Sequence, residues 1–130
     1  MITGTVSATL DPIVRLTVRG PTGRSRRIRA VVDTGFNGTL TLPSILIAEL
    51  ELPWDRRANA ELADGSQVVF DVHKAVVVWN RRRRMIRVDS ADSAPLIGME
   101  LLHGFELNMK VQRRGRVTIK PLRRRRGRTA

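Results

Sequence analysis

One carboxylate in this chain lies in a setting that suits chemistry. Asp33 follows the apolar run Ala30-Val31-Val32 and precedes Thr34 and Gly35. The apolar run predicts a strand, and the Thr, Gly, Asn and Gly after the acid predict a tight loop. A carboxylate at a buried strand end must be hydrogen-bonded, paired or protonated, because burying an unpaired charge is costly. Asp33 therefore has two interpretations: a side chain that closes a turn, or an acid held in place to act on a substrate.

A second stretch, about sixty residues further on, reads Pro95-Leu96-Ile97-Gly98-Met99-Glu100-Leu101-Leu102. Together with Asp33-Thr34-Gly35, in this order and in so short a chain, it resembles the retropepsin-like aspartic proteases, and most of all their small single-domain bacterial members. The resemblance spans roughly Thr3 to Pro121. It implies a mainly β fold, a retropepsin-like closed half of an acid-protease β-barrel with one or two short helices, and a two-fold homodimer.

The activity that the resemblance implies is that of an aspartic endopeptidase. Hydrolysis by carboxylates needs two of them around one water, one ionised to take its proton and one protonated to polarise the scissile carbonyl. The chain offers no second Asp-Thr-Gly or Asp-Ser-Gly, and Asp64-Gly65-Ser66 is the nearest match. Hence the second carboxylate must be Asp33 of a second copy, which is also how retropepsins are built.

The resemblance further implies roles for individual residues. Asp33 supplies the acid and the base across the pair, Thr34 braces the two facing loops, and Gly35 leaves room for substrate backbone. An extended peptide or unstructured protein would bind as an added strand between this loop and a flap hairpin. The expected substrate-binding residues are Phe36, Asn37, Ala63, Asp64, Gly65, Ser66, Ile97 and Gly98.

Two positions depart from the retroviral pattern. Phe36 occupies the place where retroviral enzymes tend to carry a small residue, so a bulkier cleft wall is expected. Met99 occupies the place of an arginine that anchors the loop and the dimer in those enzymes. Specificity and dimer strength therefore do not carry over from the family.

The composition bounds the remaining chemistry. The chain has no cysteine and two histidines, His73 and His103. This excludes disulfides, thiol nucleophiles and cysteine-ligated metals, so we expect no metal and no cofactor. No apolar run approaches the roughly 20 residues of a membrane-spanning helix, so we expect no membrane contact and a cytoplasmic location.

The length of 130 residues suits one domain with a single core. We expect the retropepsin-like domain to cover residues 1–121, and residues 122–130 to form a basic disordered tail. Alternating apolar residues predict strands over 3–10, 13–19, 26–33 and 39–42, and a short helix over 43–50. Two hairpins are predicted, one around 63–66 and one around 80–83, then a helix from 98 to about 103 and strands over 105–111 and 116–120.

The formal net charge of +12 comes largely from arginine clusters. Such a charge attracts polyanions, so non-specific contact with them is expected. Arginine also covers solvated hairpin tips and edge strands, where it discourages edge-to-edge pairing. The clusters are Arg24, Arg26, Arg27 and Arg29; residues 81–84; Arg113, Arg114 and Arg116; and residues 123–126 with Arg128.

Two other functions stay open. The first is a non-catalytic module on the same fold that binds an extended peptide or a polyanion. The second is a nucleic-acid binder that uses its arginine clusters, although the chain has no tyrosine and its few aromatic residues lie apart in sequence. A chain that remains monomeric at high concentration would favour the binding module over the protease.

Overall fold

The computed structural model describes residues 1–123. Strands account for most of these residues, and two short helices lie between them. Within residues 1–123, no helix has the length and apolar character to span a membrane. The predicted tail over 122–130 lies mostly beyond the described residues, since residues 124–130 are outside them.

Ten strands and two helices follow one another in the described part of the chain. They are β1 (Ile2–Val6), β2 (Pro12–Arg19), β3 (Ser25–Val32), β4 (Leu40–Leu42), α1 (Ser44–Glu49), β5 (Trp54–Glu61), β6 (Gln67–Trp79), β7 (Arg82–Ser90), β8 (Leu96–Ile97), α2 (Met99–Leu102), β9 (Phe105–Met109) and β10 (Arg116–Pro121).

All ten strands join in one sheet, in the order β5-β6-β7-β4-β8-β3-β2-β1-β10-β9. A further antiparallel pairing links β2 to β6. The mainly β fold with two short helices is thus confirmed. The sheet is not a clear barrel, because β5 on one side and β1, β10 and β9 on the other extend beyond the strands that the β2–β6 pairing connects.

Alternation along β2 and β3 decides which side faces the core. Val14, Leu16 and Val18 of β2 are buried, while Arg15 between them is exposed. Strand β3 repeats the pattern, with Ile28, Ala30 and Val32 buried and the intervening arginine exposed. Because successive side chains of a strand point to opposite faces, one face of each strand packs in the core and the other meets solvent.

Both predicted hairpins are present. Strands β5 and β6 pair from Glu61 opposite Gln67 down to Trp54 opposite His73. Strands β6 and β7 are joined by Asn80 and Arg81, whose φ angles of 52° and 66° are positive, as in the tight turns that suit twisted strands.

The first strand is shorter than the sequence predicted. It ends at Val6 rather than residue 10, because the chain turns between Ser7 and Asp11. The amide of Ser7 donates to the carbonyl of Asp11 at 2.8 Å, and Leu10 has a φ of 64°. The side chains of Ser7, Thr9 and Asp11 hydrogen-bond to one another, which favours a local turn over continued strand pairing.

Helix α1 begins beside the loop that follows β7. Asp92 accepts hydrogen bonds from the backbone amide and the hydroxyl of Ser44, at 3.0 and 2.9 Å. These bonds lower the pKa of Asp92. The arrangement satisfies an otherwise unpaired amide at the helix start, with an acid supplied from a distant part of the chain.

Candidate active site

The two sequence motifs meet side by side. Strand β3 runs parallel to β8, with Val31 opposite Leu96 and Val32 opposite Ile97. The amide of Asp33 continues the ladder by donating to the carbonyl of Ile97 at 2.9 Å. The backbone of the acid is therefore held by the strand of the second motif.

The loop after Asp33 is closed by the acid itself. Its Oδ1 accepts a hydrogen bond from the amide of Gly35 at 2.9 Å, and its carbonyl accepts one from the amide of Phe36 at 3.1 Å. Within residues 1–123, its Oδ2 accepts no hydrogen bond. The turn-closing interpretation of Asp33 is thus correct for Oδ1.

The side chains around the acid differ in exposure. Asp33 is partly exposed, and Thr34, Gly35 and Asn37 are exposed, whereas Phe36 is partly buried. Asp33 therefore lies at the rim of the fold, with its polar neighbours turned outward. A second molecule, whether a substrate or another copy of the chain, can reach this loop.

Three backbone hydrogen bonds tie the loop of the acid to the start of α2. The amide of Gly98 donates to the carbonyl of Thr39 at 3.0 Å, Met99 to Phe36 at 2.8 Å, and Glu100 to Gly38 at 3.1 Å. The loop is thereby anchored at three points outside its own turn. A loop fixed in this way presents its carboxylate with little conformational freedom, which catalytic geometry requires.

Gly98 permits this close approach. A Cβ at that position would lie 2.1 Å from the carbonyl oxygen of Gly38 and 2.6 Å from Cδ2 of Phe36. Side chains larger than hydrogen are excluded there, because both distances are shorter than any van der Waals contact. The glycine that the sequence singled out is required by packing against the acid's loop.

A buried threonine also holds the site, and the sequence analysis did not single it out. Thr41 is 6% exposed, and its Oγ1 accepts a hydrogen bond from the amide of Leu96 at 2.9 Å. Its signal in the sequence is a polar residue within the otherwise apolar strand Leu40–Leu42. Its hydroxyl supports the amide of β8 just before Ile97.

The expected substrate-binding residues fall into two groups. Phe36, Asn37, Ile97 and Gly98 surround the acid's loop, and the side chain of Ile97 is fully buried. Ile97 therefore reaches the site through its backbone carbonyl, which accepts from Asp33. Its side chain belongs to the core.

The second group forms the tip of the β5–β6 hairpin, where Ala63, Asp64, Gly65 and Ser66 are all exposed. Asp64 accepts from the amide and the hydroxyl of Ser66, at 2.9 and 2.6 Å, which lowers its pKa. Gly65 has a φ of 86°, a conformation that favours glycine. No hydrogen bond joins this tip to the Asp33 loop within residues 1–123.

A cavity of about 500 Å³ lies between the hairpin and the acid's loop. Gly38 and Thr39 line it from the loop, and Ala58, Phe70 and Val72 line it from the hairpin. Met85, Ile86 and Asp89 of β7 also line it. Asp33 itself does not line this cavity.

Asp89 is an acid that lines this cavity, and its position in the sequence does not connect it with the site. It lies on β7 opposite Thr41 of β4, and its Oδ2 is 3.4 Å from the position of a Cβ on Gly38. Burial raises the pKa of Asp89, and Arg56 opposes the rise. No sequence spacing links Asp89 to Gly38, because the pairing of β7 with β4 alone brings them together.

A second recess, of about 580 Å³, lies on another side of the loop. Thr34, Asn37 and Met99 line it, with apolar surface from Leu102 and Phe105. Met99 is 46% exposed, although it lies next to the motif. The acid's loop thus borders apolar surface that the single chain leaves open.

Comparison with family models and with curated proteins assigns no family to this chain. No protein-family model matches the chain, and no curated protein matches it. Among residues 1–123, no group of three or more His, Cys, Asp or Glu side chains is arranged to hold a metal ion.

Proposed function

We propose that the chain is a retropepsin-like aspartic endopeptidase that acts as a homodimer through Asp33. This proposal rests on the contact between the two sequence motifs. The amide of Asp33 bonds to Ile97, and Gly98 lies against the loop that follows the acid. A simple turn needs only the contact between Asp33 and Gly35, whereas an acid with a chemical role benefits from anchoring by a separate strand.

The proposed reaction uses one water and two carboxyl groups, one from each copy. Two carboxyls about 3 Å apart share one proton, because both cannot ionise easily. The ionised Asp33 takes a proton from the water, whose oxygen bonds to the scissile carbonyl carbon. The protonated Asp33 donates to the carbonyl oxygen. The carbon–nitrogen bond then breaks, and the leaving nitrogen takes the proton that the first carboxylate removed from the water. The second carboxylate takes a hydroxyl proton back from the tetrahedral intermediate, which leaves the new carboxyl group and returns the pair to its starting state.

The dimer is supported by what lies around the acid. Thr34 and Gly35 are exposed, and the recess lined by Met99 and Phe105 borders the same loop. Apolar surface at this point loses contact with water when a second copy covers it. In such an assembly Thr34 braces the facing loops, since its side chain is exposed beside the acid.

The substrate of this proposal is an extended peptide or an unstructured protein. The hairpin tip over 63–66 acts as the flap, and the cavity between the hairpin and Gly38 receives substrate side chains. Extended backbone would pair with the loop and the flap as an added strand does. Phe36, whose ring packs against Gly98, forms part of the wall.

The test is cleavage of a denatured protein by the purified chain. The wild type is compared with Asp33→Asn and with a matched control, Asp11→Asn, whose acid lies in the turn after β1. We expect cleavage by the wild type and by the control and none by Asp33→Asn, with all three equally folded. Cleavage that persists in Asp33→Asn would exclude the mechanism.

A measurement of the oligomeric state separates the protease from the non-catalytic alternative. Sedimentation over a range of concentrations is expected to show a reversible dimer. A chain that stays monomeric throughout, and does not cleave, would favour a module that binds a peptide or a polyanion on the same fold.

A further inference from the structure

Three arginines lie together on the outer face of β2 and β3. Arg15 of β2 is directly opposite Arg29 of β3, and Arg27 lies two residues before Arg29 on the same face. All three side chains are exposed. In the order of the chain, Arg27 and Arg29 cluster with Arg24 and Arg26, whereas Arg15 belongs to no cluster.

Strand pairing divides that sequence cluster. Arg26 forms an ion pair with Glu49, and Arg24 donates to the carbonyl of Glu49 at 3.2 Å. Within residues 1–123, by contrast, Arg15, Arg27 and Arg29 form no ion pair and no side-chain hydrogen bond with another residue. The charges of the second group are therefore uncompensated by the protein.

These arginines line a recess of about 390 Å³ together with the hydroxyl side chains Thr3, Thr5 and Ser7. No acidic residue lines the recess in the described part of the chain. Asp11 follows in the β1–β2 turn, where its carboxylate accepts from the hydroxyl of Thr9 at 2.8 Å. The recess thus offers hydrogen-bond donors with positive charge and no local anion.

The direct opposition of Arg15 and Arg29 has an energetic consequence. Like charges at facing positions of neighbouring strands destabilise the pair. An anion bound between them removes the repulsion and accepts charge-assisted hydrogen bonds from both guanidinium groups, which suit phosphate oxygens in a bidentate arrangement.

We propose that Arg15, Arg27 and Arg29 form a binding site for the phosphates of a nucleic-acid backbone. The spread of the charges favours a polymer over a single small anion, because Arg27 and Arg29 lie about 7 Å apart along their strand. No aromatic side chain lines the recess, so bases find no stacking surface. The proposed site therefore recognises the charged phosphate backbone, independently of base sequence, and suits a duplex.

The test uses a fluorescent DNA duplex of mixed sequence and measures binding by anisotropy over a series of salt concentrations. The site variant is Arg15→Gln with Arg27→Gln and Arg29→Gln. The matched control is Arg81→Gln with Arg82→Gln and Arg83→Gln, three exposed arginines at the β6–β7 hairpin. Both variants lose the same net charge, so a general effect of charge is equal in the two.

We expect the site variant to bind at least about tenfold more weakly than the control at low salt. Its slope of log affinity against log salt should fall by about 2 to 3, since each phosphate contact contributes about 0.9. An equal loss of affinity for the duplex in both variants, or no binding by the wild type at low salt, would overturn the proposal. Polyglutamate that competes as well as unlabelled duplex would overturn the assignment to phosphate.

A second measurement guards against misfolding. Without nucleic acid, the site variant should unfold at the same temperature as the wild type or higher, because the repulsion between Arg15 and Arg29 is gone. A lower unfolding temperature would contradict the inferred strain. The three arginines lie within β2 and β3 and not in the loop that carries Asp33, so the proposal does not depend on the proposed protease activity.

Discussion

Gly98 lies against the carbonyl oxygen of Gly38, at a distance that leaves no room for a side chain. A Cβ on Gly98 would be 2.1 Å from that oxygen, and the amides of Gly98 and Glu100 bond to the same loop. The second sequence motif is therefore a packing partner of the loop that carries Asp33. The two motifs therefore form one structural unit.

Gly98→Ala should destabilise the fold by about 1–3 kcal/mol, because the added methyl group must displace backbone or the Phe36 ring. Gly35→Ala is the matched control on the same loop, where a Cβ would meet only Oδ1 of Asp33, at 3.2 Å. Urea unfolding measures both. If Gly98→Ala lowers the free energy of unfolding no more than Gly35→Ala does, the contact between position 98 and the carbonyl oxygen of Gly38 relaxes at little cost.

Thr41→Val should also lower the free energy of unfolding, by about 1–3 kcal/mol, because the partly buried amide of Leu96 loses its acceptor. Thr41→Ser keeps the hydroxyl and serves as the control. Chemical denaturation of the three proteins gives the comparison. If Ser and Val are equally destabilising, the hydrogen bond is not the cause.

Mixing experiments test whether each active site takes one acid from each copy. When wild type and Asp33→Asn are mixed in equal amounts and allowed to exchange, about one quarter of the dimers contain two intact acids. Activity per wild-type chain should therefore fall to about half. The pure variant should lose at least about 10³-fold in rate. Activity that simply follows the amount of wild type would indicate a site within one chain.

Asp89 gives a prediction on pH. Burial raises its pKa above the ordinary value of 3.8, so ionisation costs more in the folded chain than in the unfolded chain. The cost is absent below the ordinary value, grows as the pH rises through it, and is complete above the raised folded value. Asp89→Asn removes the ionisable group.

The variant should therefore be more stable than the wild type at about pH 7, and the gain should shrink towards zero near about pH 3. Urea unfolding at both pH values measures this difference, and Asp11→Asn controls for the loss of an exposed acid. A gain of the same size at both pH values would mean that packing or hydrogen bonding, and not ionisation, explains it.

Much of the local structure could be predicted from the sequence. Alternation of apolar and polar residues gave β2, β3 and the two hairpins, because side chains of a strand alternate between core and solvent. It failed at residues 7–10, where Ser7, Thr9 and Asp11 bond locally and turn the chain. Sequence alternation does not report such side-chain competition with the sheet.

The sequence by itself identified Asp33, since an acid after an apolar strand is visible in the order of residues, and it identified Gly98 through the resemblance of its motif to that of retropepsin-like proteases. Only the tertiary structure showed that Thr41 supports Leu96, that Asp89 lies near Gly38, and that Arg15 faces Arg29. These pairs are remote in the chain or separated by a turn. Their contact depends on strand register, which is set by how the whole sheet buries its apolar face.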